Sequence, residues 1–254
     1  MPRQARKISS TGLYHIYFRG VNHCFLFEER QDYDKFFKIL KSVREDIPFQ
    51  LYAYCLMSNH VHLMMLEEHP GDISLIMGKL LAPYAYWFNR KYLRSGALIA
   101  NRYKSVCVEE DSYLLSLVRY IHQNPLRAGL ATDIAEYRWS SYRDYIESRS
   151  TLTETGIILN YFSSERREAV QAFKAFHAEA GERVQVLKDK PKRSEEQVHR
   201  EFLEILKGME PNTICGLPKT ERDGKLAMLR ERGFTIKQIE RETGVSRKII
   251  ERCR

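Results

Sequence analysis

The sequence predicts an α+β fold: a ferredoxin-like antiparallel sheet with helices on one face, followed by an all-helical C-terminal region. Three observations carry this. Residues 1–147 alternate segments of strand and helix periodicity in the order strand, helix, strand, strand, helix, strand, helix, the pattern of a split βαβ unit. Strand-like patterns stop after Tyr145, and 148–254 reads as helical. Within that second region the charged, proline-interrupted run KDKPKRSEE (188–196) reads as a linker.

Each element has its own signal. LYHIYFR (13–19) alternates and is rich in aromatic and branched residues, as a strand should be. QDYDKFFKILKSVRE places Phe36, Phe37, Leu40 and Val43 at helical intervals. FQLYAYCLM (49–57) and HVHLMML (60–66) read as two strands joined by a tight Ser58-Asn59 turn. A long helix follows from about Asp72 to Leu93, where Pro83 should kink or split it. RYKSVCVE (102–109) reads as the fourth strand. DSYLLSLVRYIHQNP then opens on an Asp or Ser cap and should stop before Pro125. The remaining helices are signalled by SSERREAVQAFKAFHAEA, SEEQVHREFLEIL and ERDGKLAMLRERG.

Bulk composition narrows the function classes. A formal net charge of +8 favours a polyanionic partner through counterion release. No run approaches the roughly 20 apolar residues of a membrane helix, and the start MPRQARKISS lacks the apolar core of a secretory signal. The five cysteines are scattered with no C-x-x-C pair, which fits reduced thiols in a cytoplasmic protein with no association to a membrane.

The chemistry-bearing stretch is SNHVHLMM (58–65). Side chains two apart on a strand share a face, about 7 Å apart, so His60 and His62 can converge on one ion. By itself a His-x-His pair is a weak signal, and two locally hydrogen-bonded imidazoles at a strand end are its commoner meaning. A third ligand is offered by Asn124, which lies four residues after Tyr120 on the same helical face and beside Pro125. His60, His62 and Asn124 would form a mixed nitrogen and oxygen site suited to Mg²⁺ or Mn²⁺. The plainer alternative is that Tyr120 packs its ring and Asn124 caps the helix.

The blocks FRGVNHCFLFEERQDYDKFF, YAYCLMSNHVHLMM, NRYKSVCVEEDSYLLSLVRYIHQNPLRAGL and YRWSSYRDY, spread over about residues 8–146, resemble the single-tyrosine transposases of the HUH class, most closely the REP-associated tyrosine transposases of bacteria. The resemblance implies that residues 1–147 form an HUH-type catalytic domain. It also implies that His60, His62 and Asn124 bind the divalent metal and that Tyr120 is the nucleophile. The substrate would be single-stranded or hairpin DNA, cut and rejoined through a 5′-phosphotyrosyl intermediate by a monomer or homodimer. Family members often carry an aromatic residue and a glutamine before RYKS; this chain reads GALIANRYKS instead. Tyr113, seven residues before Tyr120, is the rival nucleophile, about 10 Å further up the helix and expected to pack. His15 and His23 read as structural, and His122 points away from the Tyr120 face.

Phosphate contacts are expected from Arg19, Arg102, Lys104, Arg119 and Arg127, with Arg3, Arg6 and Lys7 as further cations and Tyr103 as a ring for an unpaired base. The C-terminal GFTIKQIERETGVSRKIIERCR (233–254) resembles a helix-turn-helix, with Gly244 at the turn and Arg247 and Lys248 on a second helix that could enter a major groove. Two helices that merely pack are the alternative. A rival from another class is a non-catalytic DNA-binding regulator on the same scaffold, recognising DNA through that motif.

Overall fold

A computed structural model describes residues 6–147, 152–179 and 195–253, apart from the side chains of 195–197 and 237. The chain divides into two compact units, Met1–Val184 and Gln185–Arg254.

The first unit is built on a four-stranded antiparallel sheet in the order β2-β3-β1-β4, with β1 at Leu13–Arg19, β2 at Phe49–Leu56, β3 at His60–Glu67 and β4 at Lys104–Cys107. This is the ferredoxin-like order expected of the split βαβ pattern. Helices, however, cover both faces. Helix α1 (Arg30–Asp46) and helix α2 (Asp72–Lys91) pack against Ile16, Phe18, Leu63 and Met65. On the other face, helix α3 (Asp111–Arg127) lies across β2 and β3 and packs against Ala53, Cys55 and Met64. The reason is in the strands: seven of the eight residues of β2 are buried, so neither face of the sheet can be left in water.

Helix α2 is not split at Pro83 but runs through it as one element, and the expectation that α3 stops before Pro125 is corrected, since it continues to Arg127. Proline removes one backbone donor, and in the last turn of α3 that loss is local. The turn is closed by Ala128 N to the Asn124 carbonyl at 3.0 Å and Leu130 N to the Pro125 carbonyl at 2.9 Å.

Residues past 147 remain with the sheet, so the first unit continues beyond the boundary expected from the loss of strand signals. Ser140 and Thr153 bridge to β2 at Cys55 and Leu51, and Ser141 N donates to the Tyr54 carbonyl at 3.0 Å, which covers the open edge of the sheet. Helix α4 (Tyr142–Glu147), helix α5 (Gly156–Asn160) and helix α6 (Arg166–Ala178) then enclose the α3 face, where Tyr145, Ile158 and Phe173 are fully buried. Burying a ring the size of Phe173 contributes about 2–3 kcal/mol.

The second unit is all helical: α7 (Glu195–Ile205), a 3-10 turn at Pro211–Gly216, α8 (Lys219–Glu231), α9 (Ile236–Thr243) and α10 (Arg247–Arg252). Its centre is Val198, Phe202, Leu226, Leu229, Ile239, Val245 and Ile250. A capping box between Thr235 and Gln238 opens α9, and Gly244 at φ 69° turns the chain into α10. The linker expected at 188–196 lies outside the described residues as far as 194, as does Arg3. Among the described residues no helix is long and apolar enough to cross a membrane.

Candidate active site

The sheet register builds the site. Tyr17 pairs with His62 and Arg19 with His60 across β1 and β3, so all four side chains, with His15, share the face covered by α3. The hairpin turn that presents His60 is fastened from outside: Gly20 N donates to the Asn59 carbonyl at 2.9 Å, and Leu26 N to the Ser58 carbonyl at 2.7 Å. Gly20 is required here, because a Cβ at that position would lie 2.0 Å from the Cys24 carbonyl oxygen.

The rings form a tight group. His60 and His62 stand edge to face with centroids 5.3 Å apart, and Tyr17 stacks on His62 at 5.8 Å. Tyr120, half-buried on α3, meets His62 edge-on at 5.6 Å. The expected nucleophile and the His pair therefore adjoin within one chain. Asn124 is buried one turn later, and its Nδ2 donates to the Tyr120 carbonyl at 2.8 Å, leaving Oδ1 as the atom able to meet a cation.

Both imidazoles of the pair present Nε2. His60 Nδ1 donates to Asn59 Oδ1 at 2.7 Å, and His62 Nδ1 lies 2.9 Å from His15 Nε2. Burial, with Arg19 and His23 adding repulsion, lowers the His60 pKa to about 4. Burial, with His15 and His60, holds His62 well below the ordinary histidine range. Both are thus neutral at pH 7, the state in which imidazole coordinates a metal. Among the described residues no three His, Cys, Asp or Glu side chains cluster for a metal, so a site here needs the Asn124 amide.

Burial raises the Tyr120 pKa, while Arg127 and the Asn124 side chain pull it down. The Arg127 guanidinium lies 4.9 Å from the centre of the Tyr120 ring. The rival Tyr113 is placed differently: its hydroxyl is buried with no hydrogen-bond partner among the described residues, and its ring packs into the α3 core. A buried hydroxyl cannot reach a phosphate without repacking.

The expected DNA contacts divide. Arg19 flanks His60, and Lys104 lies 5.6 Å from the Tyr17 ring centre, so both border the His pair, while Arg102 is exposed. Two expectations are corrected. Tyr103 is buried in the core with the Arg6 guanidinium 3.8 Å over its ring, so that face is already taken and cannot receive a base. Arg119 is 7% exposed and points away from the site: it donates to the Phe176 carbonyl at 3.1 Å and stacks on the Phe176 ring at 4.1 Å, tying α3 to the end of α6. The same helix end receives Gln123, which donates to the His177 carbonyl, and His122, whose Nδ1 is 3.0 Å from His177 Nε2. In the second unit Arg247 and Lys248 are exposed on α10, with Arg247 paired to Glu251 at 2.8 Å. The divergent GALIAN segment serves the fold, since Val21 N donates to the Leu98 carbonyl and Ala100 N to the Arg19 carbonyl, locking the end of β1.

Sequence reasoning missed His15 and Tyr17 as members of the ring group. The available signal was a histidine alternating with Tyr17 on an otherwise apolar strand, but only the β1–β3 register brings them onto His62.

The chain is similar to known proteins over the part that holds this site. Residues 9–124 match the family model "Transposase IS200 like". A protein of Haemophilus influenzae named as a REP-associated tyrosine transposase is 24% identical over 119 residues, covering 43% of this chain and 68% of that protein. A solved structure of a REP-associated tyrosine transposase bound to a REP hairpin superposes with a TM-score of 0.51 at 17% identity, covering 61% of this chain and 92% of that one, a likeness of fold. Residues 9–124, which contain the His pair, Tyr120 and Asn124, are thus the part of the chain that is similar to IS200-like transposases.

Proposed function

We propose that this protein is a metal-dependent single-tyrosine transposase that cuts and rejoins single-stranded or hairpin DNA. The observation that carries the reading is the Tyr120 ring edge-on to His62 at 5.6 Å, within one chain. The bound hairpin in the similar solved structure supports a hairpin substrate, a shape that leaves the backbone beside the stem free to enter the site.

Tyr120 is the nucleophile. With its pKa raised by burial, the phenol enters protonated, and the proton leaves Oη as the bond to phosphorus forms. The bond from phosphorus to the 3′-oxygen breaks in the same displacement, and that oxygen takes up a proton. The products are a 5′-phosphotyrosyl strand and a free 3′-OH. The tyrosyl ester retains the energy of the broken phosphodiester, so attack by a 3′-OH rejoins DNA without nucleotide hydrolysis. Arg127 beside the ring offsets the phenolate charge, and Arg19 and Lys104, on β1 and β4 beside the His pair, bind the backbone.

His60 Nε2, His62 Nε2 and the Asn124 amide oxygen fit a divalent cation of the Mg²⁺ or Mn²⁺ type, since the imidazoles are neutral and their Nδ1 atoms are already engaged. When bound, such a cation neutralises charge on a non-bridging phosphate oxygen and on the departing 3′-oxygen.

The test is cleavage of a labelled hairpin with Mn²⁺ by wild type and Tyr120→Phe. Tyr120→Phe should bind the hairpin within about two-fold of wild type yet form no covalent adduct, and the wild-type adduct should map to Tyr120 by mass spectrometry. Undiminished nicking by Tyr120→Phe, or an adduct on Tyr113, would refute the assignment.

A further inference from the structure

We infer that His15 is a positioning residue for His62: by accepting a hydrogen bond from His62 Nδ1, it turns the His62 Nε2 lone pair toward Tyr120 and the cation. This rests on the metal-site reading above. His15 lies at the middle of β1, fully buried, with its Nε2 2.9 Å from His62 Nδ1 and its ring within 17° of parallel to that of His62, centroids 5.2 Å apart. Its ring also meets Tyr120 edge-on at 6.2 Å, so it stands behind both the nucleophile and the ligand.

A neutral imidazole has one N–H and one lone pair, so the partner of one nitrogen decides what the other can do. If His62 donates to His15, its Nε2 is a bare lone pair and a ligand. If His15 donates to His62, the His62 proton sits on Nε2 and coordination there is blocked. His60 faces no such choice, because an amide oxygen of Asn59 can only accept. His15 is not committed in this way, and its Nδ1 is a buried nitrogen with no hydrogen-bond partner among the described residues. With His15 as acceptor its own proton occupies that unpartnered Nδ1. The fold thus gives up one hydrogen bond on His15 to keep His62 in the coordinating form.

The packing around His15 is consistent with orientation as its task. Tyr17 at 5.1 Å and His62 at 5.2 Å form a three-ring cluster with it, so its ring cannot turn without moving a member of the site. A purely space-filling residue at this position would be served by an apolar ring without an orphaned nitrogen.

The test is Mn²⁺ binding to the full chain, followed by the paramagnetic resonance of the free ion, in wild type, His62→Ala, His15→Phe and His15→Gln. His15→Phe removes the acceptor and should weaken Mn²⁺ binding by about 10–100-fold, the range typical of losing such a partner, while His15→Gln, which keeps an acceptor, should stay within about three-fold of wild type. A merely structural His15 would lower the unfolding temperature in both variants without separating glutamine from phenylalanine in Mn²⁺ affinity. Should His15→Phe not fold, ¹⁵N spectra of Mg²⁺-saturated wild type decide instead, with the proton expected on His62 Nδ1 and none on His15 Nε2. A Mn²⁺ site lost in His62→Ala but unchanged in both His15 variants, or a proton found on His15 Nε2, would overturn this inference alone. A Mn²⁺ site indifferent to His62→Ala would overturn the metal-site reading and this inference with it.

Discussion

Replacing His177 by leucine tests the clamp that holds α3, the helix bearing Tyr120. His177 is 2% exposed at the end of α6, and its Nδ1–H donates to the Phe173 carbonyl at 2.9 Å. Its Nε2 must therefore accept, so His122 Nδ1–H on α3 donates to it at 3.0 Å, and His122 Nε2 accepts from Ser141 Oγ at 2.8 Å. Leucine keeps most of the volume but leaves the His122 N–H buried and unpaired, a cost of about 1–3 kcal/mol, and loses the bond to Phe173, about 1 kcal/mol more. The expected loss is about 2–4 kcal/mol at pH 7. It also has a pH signature. Burial, aided by Arg119 and opposed by the Phe173 carbonyl, lowers the His177 pKa from 6.5 to about 4. Between those values the unfolded chain binds the proton and the folded chain does not, so this stability is present above pH 6.5 and is lost as pH falls toward 4. The gap between wild type and variant should narrow by about 2 kcal/mol between pH 7 and pH 4.5. Urea unfolding followed by tryptophan fluorescence measures this, since both tryptophans, Trp87 and Trp139, lie in the first unit and the second is silent. A loss below about 0.5 kcal/mol, or a gap that does not change with pH, would refute the donor order and the clamp.

Further outcomes follow from other contacts. Gly20→Ala must displace the Cys24 backbone, and should cost about 2–4 kcal/mol in the same unfolding assay while reducing hairpin cleavage, because the turn before His60 hangs from Gly20 N; a change under about 0.5 kcal/mol would mean the loop yields freely. The Asp32 carboxylate accepts from Glu28 N, Glu29 N, Tyr92 Oη and Lys91 Nζ, so Asp32→Asn should cost about 2–4 kcal/mol, read from the urea midpoint, and an unchanged midpoint would show that Lys91 carries no weight there. Arg247→Ala combined with Lys248→Ala should weaken binding of the chain to its DNA target and flatten the salt dependence of binding by roughly one to two phosphate contacts; identical affinity at several salt concentrations would remove α10 from DNA recognition.

The sequence by itself determined the element order and, through it, the sheet. Alternation in LYHIYFR and HVHLMML, helical spacing in the segments between, and the Ser58-Asn59 turn are local signals, and local signals survive in one dimension. Tyr120 and Asn124 on one helical face were legible for the same reason, since four residues is about one helical turn. What only the tertiary structure decided is who meets whom across elements. The β1–β3 register sets His15 behind His62 and Tyr17 beside it, and nothing in either strand alone fixes that register. Arg119 and Tyr103 look like DNA contacts in a string of basic and aromatic residues, but one is spent on the Phe176 carbonyl and ring of α6 and the other is roofed by Arg6. The strand periodicity ends near Tyr145, yet the unit does not, because β2 has an open edge and α3 an apolar back, and residues up to Ala178 return to cover them. Periodicity records how a segment turns on itself; burial and hydrogen-bond pairing between segments depend on distances that the chain acquires only when it folds.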